Sequence, residues 1–519
     1  MSNKNILFIM TDQHRNDFVG YMPGSKMETP NIDRIAGEGT GFAACQSVNP
    51  ICTPARTALA TGRYPRQIGT LTMAGDLSPQ IPTHMQALQR HGYTTYGLGK
   101  FHFQQTWKWG TPIRTGLNMI KHEDLQKQYG YDQIWEVSGK SLLLNNYCSY
   151  AKYLSDLGLY KTMENYVIST GVNSEYPSHN FDKGEPSPLE EEHYIDKVIG
   201  RKAREFINNH DSQKPFYMMV SFCSPHRPYD PPQRYLDMFP LDDKDDYILQ
   251  EGESMTRKER DCLNRQIRAY KAKIALVDDE VGLLLNTLEK KGIKEDTLIV
   301  FTSDHGDMQG DHYRLQKAFP WKQCTTVPLA IRMPGFQSQK LVKAPVELTD
   351  ITATILDYAG LDHVEALSRD WPAYQDIIPC RSLLPVIRGE VDRIRDYSFT
   401  ETDYTEEKDY KSLKELGSAG SEVKQKGERP RPERTQQWQM LQSEDYKYIK
   451  YLQYKEPGKF HEELYNLRDD PDELDDIAKD PANRDIMEYF RRELMYIVDS
   501  TPPAQTVWSP VESWTPGKH

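Results

Sequence analysis

Acidic and imidazole side chains directly follow two short apolar runs of the sequence. Asp12 and Gln13 come after the run ILFIM, and Asp304 and His305 come after the run LIVF. Carboxylate oxygens and imidazole nitrogens at the ends of two strands suit a divalent cation. Capping of a helix or a turn is the alternative for Asp12, and a polar loop is the alternative for Asp304 and His305. Taken together, the two segments predict a metal site.

Basic and imidazole side chains follow two further apolar runs. In "GLGKFHF", Lys100 and His102 occupy alternate positions of an extended segment, so both side chains face the same side. In "SFCSPHRPYDPP", prolines stiffen the loop that carries His226, and Lys317 lies thirteen residues after Asp304. A single histidine or lysine of this kind is more often a surface residue. Several of them in one pocket would attract an anionic substrate.

A cysteine stands at the predicted start of a short helix, in "NPICTPARTALATGRYP". Pro54 suits the first helical turn, and Gly62 suits the helix end. Cys52 would therefore lie at a helix N-terminus, which favours anions, with Arg56 one turn later on the same face. This pattern is typical of an anion-binding cradle with a nucleophile at its mouth. A reactive thiolate is one interpretation, although a thiolate beside a hard cation is an unsuitable nucleophile for a tetrahedral oxyanion.

The elements that position these residues follow from the apolar periodicity. Strands are predicted at 5–10, 94–98, 216–222, 297–301 and 328–333, and helices at 83–91, 270–290 and 353–361. Strands that alternate with helices predict an α/β fold with a large, mostly parallel sheet flanked by helices. Ligands bind beyond the carboxyl ends of the strands in such sheets, which is where each polar motif lies.

Two domains are expected, with the boundary at about residue 385. Residues 1–385 would form the catalytic α/β domain, and residues 386–519 a smaller α+β domain. The second part contains "YSFTETDY", "WQMLQSEDYKYIKYLQY" and "EELYNLRDDPDELDDIA", which predict an antiparallel sheet, and a helix follows near 483–498. Residues 405–437 are highly charged and predict a loop or insertion. The last residues contain two tryptophans and four prolines, and an association of two or four chains is kept as an alternative.

Net charge, cysteine spacing and the length of the apolar runs indicate which binding partners and which cellular location to expect. The chain has 519 residues and a net charge of -12, which argues against nucleic acid or an anionic membrane as the partner. The seven cysteines are scattered without a CxxC pair, as in a chain with reduced thiols. The first apolar run is too short for a secretory signal, and no stretch is long enough for a membrane span, so a cytoplasmic location is expected.

The segment "CTPARTALATGR" resembles the signature of the formylglycine-dependent (type I) sulfatases, which belong to the alkaline-phosphatase-like superfamily. The motifs "ETPNIDRIA", "GKFH", "SPHRP", "SDHGDMQGDH" and "VELTDITATILDYAGL" occur in the family's order, so the resemblance covers most of the chain. In that family a maturing enzyme oxidises the cysteine to formylglycine, an aldehyde that hydrates to a geminal diol. By this resemblance, Cys52 is a precursor of the nucleophile.

The resemblance implies a divalent cation held by four side chains. These are Asp12, Gln13, Asp304 and His305. Calcium is the usual ion of sulfatases and is expected here, with manganese or magnesium as alternatives. The Asp-Gln and Asp-His pairs resemble the branch that contains choline sulfatases and phosphonate monoester hydrolases.

The resemblance also implies how the sulfate is held and attacked. Residue 52 would attack the sulfur as the hydrated aldehyde, and Arg56 would orient the diol. Lys100 and Lys317 would bind the sulfate oxygens. Preplaced cations of this kind stabilise charge that develops in the transition state.

Two histidines would carry the protons. His226 would protonate the leaving alcohol, and His102 would deprotonate the second hydroxyl of the diol, which expels sulfate. The expected reaction is hydrolysis of a sulfate ester of a small molecule or an oligosaccharide. Hydrolysis of a phosphonate monoester or a phosphodiester at the same site is the first alternative, and a non-catalytic binding protein is the second. The text "AFPWKQCTTVP" departs from the usual family pattern, so a different pocket wall is expected there.

Overall fold

The computed structural model describes residues 4–504 apart from nine gaps. The residues left out within this range are 74, 105–116, 144, 170–183, 212, 242–245, 369–376, 404–436 and 453–460. The predicted insertion at 405–437 and the tail with two tryptophans therefore lie almost entirely outside the described residues.

Nine strands form one large sheet. They are β1 (Asn5–Asp12), β2 (Thr40–Gln46), β3 (Thr94–Gly99), β4 (Gln133–Glu136), β5 (Phe216–Pro225), β6 (Thr297–Ser303), β7 (Thr326–Arg332), β8 (Lys340–Val342) and β9 (Val346–Glu347). The order is β4-β3-β5-β1-β6-β7-β2-β8, and β9 also pairs with β2. Only β7 pairs antiparallel with its neighbours β6 and β2; the other pairings are parallel. The predicted mostly parallel sheet is confirmed.

The helices of this part alternate with the strands. They are α1 (Pro30–Gly37), α2 (Cys52–Thr61), α3 (Pro65–Ile68), α4 (His84–Arg90), α5 (Glu123–Lys127), α6 (Ser149–Asp156), α7 (Tyr160–Ser169), α8 (Ile195–Asn209), α9 (Gln233–Leu236), α10 (Arg257–Lys290), α11 (Lys322–Thr325), α12 (Asp350–Tyr358), α13 (His363–Ser368) and α14 (Leu384–Ile387). The α10 helix starts earlier than the apolar pattern predicts, because Thr256 and Glu259 form a capping box at its N-terminus. Every helix in the described part of the chain is too short or too polar to cross a membrane.

The two faces of the sheet bury separate apolar cores. Along β1, Leu7 and Ile9 pack on one face, and Ile6, Phe8 and Met10 pack on the other. This alternation is the two-residue period of a strand. Helices α8 and α10 cover the first face, and helices α2, α4 and α12 cover the second. The burial on both faces explains why β1 is a continuous apolar run.

A second, antiparallel sheet follows in the chain. Its strands are β10 (Ser398–Thr402), β11 (Trp438–Gln442), β12 (Tyr446–Tyr451) and β13 (His461–Asn466), in that order, and the last helix is α15 (Arg484–Ser500). The predicted antiparallel sheet and final helix are confirmed. The sheet packs on the first part of the chain: the Glu401 amide donates to the Val48 carbonyl at 3.0 Å, and the Tyr64 and Phe399 rings meet edge to face. The domain boundary at 385 stays a prediction.

Candidate active site

The carboxyl ends of β1 and β6 lie side by side and bring the two acidic motifs together. In the parallel register Thr11 pairs with Ser303, so Asp12 and Asp304 leave the sheet at the same edge. Ligand atoms of four buried residues lie within 4.8 Å of one another. These residues are Asp12, Cys52, Asp304 and His305. Two carboxylates and an imidazole at this spacing are a donor set for a divalent cation.

Backbone groups hold these donors in place. The Asp304 Oδ1 atom accepts hydrogen bonds from the amides of Gln13 and His305, each at 2.9 Å. The His305 Nδ1 atom lies 2.9 Å from the Gly306 carbonyl and donates to it, which leaves Nε2 as the nitrogen that faces the cluster. A Cβ atom on Gly306 would lie 1.9 Å from the Gln323 carbonyl oxygen, so only glycine allows the chain to turn here.

Cys52 lies at the N-terminus of α2, as the sequence predicts, and is 1% exposed. Its Sγ atom is 2.7 Å from Lys317 Nζ, 3.2 Å from His305 Nε2 and 3.9 Å from Lys100 Nζ. The sulfur thus stands between the metal-ligand cluster and two ammonium groups. Gly62 ends the helix in the left-handed conformation, with φ of 66°.

Arg56 is fully buried and joins the two acidic motifs. Its Nε atom donates to Asp304 at 2.7 Å and its Nη2 atom to Asp12 at 3.3 Å. The Nη1 atom donates to the Ser221 hydroxyl at 2.9 Å and to the Lys100 carbonyl. The guanidinium therefore neutralises the two carboxylates and fixes their spacing. Ser221, on β5, is the first residue of the motif that carries His226, but the sequence analysis did not single it out.

Lys100 and His102 follow β3 and face the cluster. Lys100 Nζ donates to Asp12 Oδ2 at 2.5 Å. Its neighbour Gly99 has φ of 97°, and a Cβ atom there would lie 1.8 Å from the Ser221 carbonyl oxygen. His102 also has a left-handed backbone, with φ of 56°, and Cys52 lies close enough to act on the pKa of its side chain. Its Nδ1 atom is buried and has no hydrogen-bond partner among the described residues.

His226 lies next to the cluster because β5 pairs with β1. The His226 amide donates to the Asp12 carbonyl at 3.1 Å, and its Nδ1 atom lies 2.7 Å from the Arg227 carbonyl. The ring is partly buried. The backbone contact to Asp12 places this histidine on the metal side of the pocket.

Lys317 reaches Cys52 from a loop with an unusual backbone. Residues Gln316 and Ala318, on either side of it, have φ of 67° and 75°. Left-handed non-glycine residues cost about 1–3 kcal/mol each and persist only where the surroundings enforce them. Here the Gln316 amide donates to the Asp307 carboxylate at 2.9 Å, and the Ala318 amide donates to the Pro50 carbonyl at 3.2 Å.

The second sheet supplies two further anchors for this loop. The Trp438 indole donates to the Ala318 carbonyl at 3.4 Å. The buried Lys447 ammonium donates to the Pro320 carbonyl at 3.1 Å and pairs with Glu473 at 2.6 Å. Residues far along the chain therefore position the lysine that contacts Cys52.

Comparison with known proteins gives the family of this site. The family model described as Sulfatase matches residues 4–361, which is more than half of the chain. The chain belongs to the sulfatase family. The prediction that it is an enzyme of this family is confirmed.

Relatives of this sulfatase include enzymes with different named activities. It is 29% identical to an arylsulfatase of Clostridium perfringens over 389 residues, covering 70% of this chain and 77% of that protein. It is 27% identical to a choline-sulfatase of Rhizobium meliloti over 393 residues, covering 72% and 71%. The crystal structure of a phosphonate monoester hydrolase of Agrobacterium radiobacter has the same fold, with a TM-score of 0.70, 20% identity and 96% of each chain covered.

Charges in the pocket of this sulfatase shift the ionisation of Cys52. Burial and Asp12 act to raise the pKa of the thiol, but Lys100, Lys317 and His305 outweigh them and hold it well below its usual value. Burial acts to lower the pKa of Lys100, but Asp12, Cys52 and Asp304 together outweigh it, so that pKa is raised. The pocket thus favours a negative group at residue 52 although the protein as a whole is acidic.

Burial favours the neutral forms of His102 and His226. It lowers the pKa of His102, and the nearby Cys52 opposes this shift. It lowers the pKa of His226 well below the usual value, and nearby Lys317 and Lys100 act in the same direction while Asp12 opposes them. A negatively charged ligand between these groups would raise both pKa values.

Gln13, which is expected to bind the cation, makes other contacts that limit how it could do so. Its backbone is left-handed, with φ of 68°, and its carbonyl accepts a hydrogen bond from the Tyr270 hydroxyl at 2.7 Å. The side-chain amide nitrogen donates to the Asp307 carboxylate. The amide oxygen is thus the only Gln13 side-chain atom available as a cation ligand, and the assignment stays a prediction.

Glu136 was missed by the sequence reasoning because the short strand β4 was not predicted. The nearby His102 backbone acts to lower the pKa of its carboxyl group, and its Oε2 atom is buried without a partner among the described residues. Burial raises the pKa of Glu136 to about 8. The carboxyl group behind His102 is therefore protonated at neutral pH in the folded sulfatase.

As the pH rises, the Glu136→Gln variant is expected to lose less of its free energy of unfolding than the wild type. The folded pKa is about 8 and the ordinary value is 4.5. Because the folded state keeps a proton that the unfolded state releases, stability falls as the pH rises from the ordinary value to the folded one. Glutamine cannot release this proton. The decrease in the free energy of unfolding with rising pH should therefore be smaller in the variant than in the wild type, by on the order of a few kcal/mol.

Urea denaturation of the wild type and the variant at about pH 5 and about pH 8 measures this difference. Glu390→Gln, at a residue whose side chain is 55% exposed, is the control. Equal pH dependence in the wild type and Glu136→Gln would show that the carboxyl is not buried in neutral form.

Proposed function

We propose that the protein hydrolyses a sulfate ester of a small molecule or an oligosaccharide, with formylglycine derived from Cys52 as the nucleophile and a divalent cation as cofactor. The observation that carries the proposal is the position of Cys52 Sγ between the ligand cluster of Asp12 and Asp304 and the ammonium group of Lys317. A maturing enzyme would convert the cysteine side chain, CH2SH, into the aldehyde CHO.

The residues present fit a hard divalent cation. Asp12, Asp304 and His305 supply oxygen and nitrogen donors, and the Cys52 sulfur stands where an oxygen of the hydrated aldehyde would be. Gln13 would add its amide oxygen. Calcium is the proposed ion, since oxygen donors dominate this set, and manganese or magnesium are the alternatives. When bound, the cation would supply Lewis acidity beside residue 52.

Lys100 and Lys317 would bind the oxygens of the sulfate group. Both ammonium groups lie within 4 Å of residue 52, at 3.9 Å and 2.7 Å from its sulfur. Negative charge on the sulfate oxygens and on the leaving oxygen increases toward the transition state, so fixed cations lower the barrier more than they stabilise the bound substrate. Arg56 would act behind them by holding the two carboxylates at their observed spacing.

His226 and His102 would move the protons. His226 Nδ1 is engaged with the Arg227 carbonyl, so Nε2 would donate the proton to the leaving alcohol. The charge of the bound sulfate would raise the pKa of His226 from its lowered value and so favour the protonated form. His102, whose pKa is influenced by the nearby residue 52, would take the proton of the second hydroxyl of the diol as sulfate leaves.

Hydrolysis of a phosphonate monoester at the same residues is the second candidate. The Asp-Gln and Asp-His motifs and the fold shared with the Agrobacterium phosphonate monoester hydrolase favour it. The named sulfatase relatives, which match about 70% of the chain at 27–29% identity, favour the sulfate ester.

Paired turnover of two para-nitrophenyl esters tests the choice. The kcat/KM for para-nitrophenyl sulfate is expected to exceed that for para-nitrophenyl phenylphosphonate by about tenfold or more, which corresponds to ~1.4 kcal/mol of transition-state binding. Both are measured with one preparation, released para-nitrophenolate being followed at the same pH. The reverse order would assign the site to phosphonate esters.

A further inference from the structure

One buried lysine outside the predicted set contacts the loop that carries His226. Lys273 lies on α10 and is 0% exposed. Its ammonium group donates to the carbonyl of His226 and, at 3.0 Å, to the carbonyl of Pro228. Burial, with Lys140 acting in the same direction, lowers the pKa of Lys273 to about 7, and the side chain can donate both hydrogen bonds with or without its charge. Lys273 contacts two backbone carbonyls of the His226 loop, and its Nζ atom lies 5.9 Å from the centre of the Tyr229 ring in the same loop.

The backbone of His226 is held from both sides. Its amide donates to the Asp12 carbonyl at 3.1 Å, and its carbonyl accepts from Lys273. The side-chain Nδ1 atom contacts the Arg227 carbonyl at 2.7 Å. Among these anchors, Lys273 is the one that another residue supplies through its side chain, so a substitution can remove it without changing His226.

A second buried pair fixes the far side of the same loop. The carboxylate of Asp230 pairs with the Lys140 ammonium, and the Asp230 amide donates to the Pro228 carbonyl at 3.1 Å. Lys140 also donates to the Tyr194 hydroxyl at 2.8 Å. The Pro228 carbonyl, which Lys273 also contacts, thus belongs to a segment that is already fixed. Lys273 therefore ties the His226 carbonyl to a rigid part of the molecule.

We propose that Lys273 is a positioning residue, which holds the His226 backbone so that the imidazole reaches the leaving oxygen of the ester. The inference rests on the proposed role of His226 as the proton donor. A displacement of about 1 Å in a catalytic group can cost about a hundredfold in rate. A purely structural lysine would instead lower stability without changing which leaving groups the enzyme tolerates.

The test compares two esters whose leaving groups differ in their need for a proton. A para-nitrophenolate ion leaves without a proton, whereas an alkoxide leaves only as the protonated alcohol. Lys273→Met is expected to lower kcat/KM for an alkyl sulfate by about 10- to 100-fold and for para-nitrophenyl sulfate by less than about threefold. Lys273→Gln, which is polar but shorter, should show the same selective loss and serves if the methionine variant does not fold.

The matched control is Lys294→Met. Lys294 is also buried, but it pairs with Glu38 at 2.9 Å and Glu289 at 2.8 Å, away from the His226 loop. Its variant should lose stability and keep the wild-type ratio of the two kcat/KM values. An equal loss on both substrates for Lys273→Met would overturn the inference.

His226→Ala separates this inference from the proposed function. If His226→Ala shows the selective loss, the two substitutions combined should cost no more than His226→Ala alone on the alkyl sulfate. Selective loss in His226→Ala with none in either Lys273 variant would refute the positioning role and leave the proposed function intact. No selective loss in His226→Ala would refute the proton-donor role, and the role of Lys273 with it.

Discussion

Replacement of Cys52 by serine is expected to abolish turnover and to leave one sulfate group attached to the protein. A serine hydroxyl, held beside Lys100 and Lys317, can attack sulfur once. It lacks the second hydroxyl through which a diol expels sulfate, so the covalent intermediate has no exit. The loss in kcat should be about 10³-fold or more, as for removal of other catalytic nucleophiles.

Intact-protein mass spectrometry after exposure to substrate measures the attached sulfate, and a steady-state assay measures turnover. The wild-type peptide that spans 49–56 should show CHO in place of CH2SH at residue 52 when the host provides the maturing enzyme. Cys262→Ser, on α10 and outside the pocket, is the control and should turn over normally. Multiple turnover by Cys52→Ser would show that residue 52 is not the nucleophile.

Asp304→Asn is expected to reduce metal affinity by about a hundredfold and kcat/KM by a comparable factor. The carboxylate belongs to the ligand cluster and also pairs with Arg56 at 2.7 Å, with both side chains fully buried. The substitution therefore removes ligand charge and leaves a buried guanidinium with one partner fewer. Loss of one partner of such a pair costs about 3–5 kcal/mol of stability.

Titration calorimetry of calcium into chelator-treated protein measures the affinity. Asp311→Asn is the matched control, because Asp311 also pairs with a buried arginine, Arg15, at 2.8 Å but lies outside the ligand cluster. Its variant should lose stability and bind calcium as the wild type does. Full activity of Asp304→Asn after chelation would exclude the proposed metal site.

The sequence predicted the parts of the site that follow strong strands. The β1 and β6 strands are buried on both faces, so their apolar runs are unbroken and the polar residues after them are conspicuous. Strand β2 was missed because its sequence, TGFAACQ, is built from small residues with little apolar contrast. Strand β4 was missed because it is four residues long and half exposed at the sheet edge, and Glu136 was missed with it.

Contacts between distant segments were beyond the reach of sequence patterns. Trp438 and Lys447 belong to the second sheet and contact the Lys317 loop. No short sequence motif indicates that this sheet packs there. Lys273 carried a faint signal, since it precedes Ile274 on the buried side of a long amphipathic helix. A charged residue on an apolar helix face requires a specific partner, and this rule could have marked it.

The anchoring of the Lys317 loop by the second sheet has a consequence for biosynthesis. A ribosome delivers every residue of the pocket, through Lys317, well before it delivers Trp438 and Lys447. During that interval the loop that covers the Cys52 thiol lacks two of its anchors. Under the proposed maturation, an enzyme that oxidises this thiol would therefore reach it more easily before the last strands dock than in the finished fold, where Cys52 is 1% exposed.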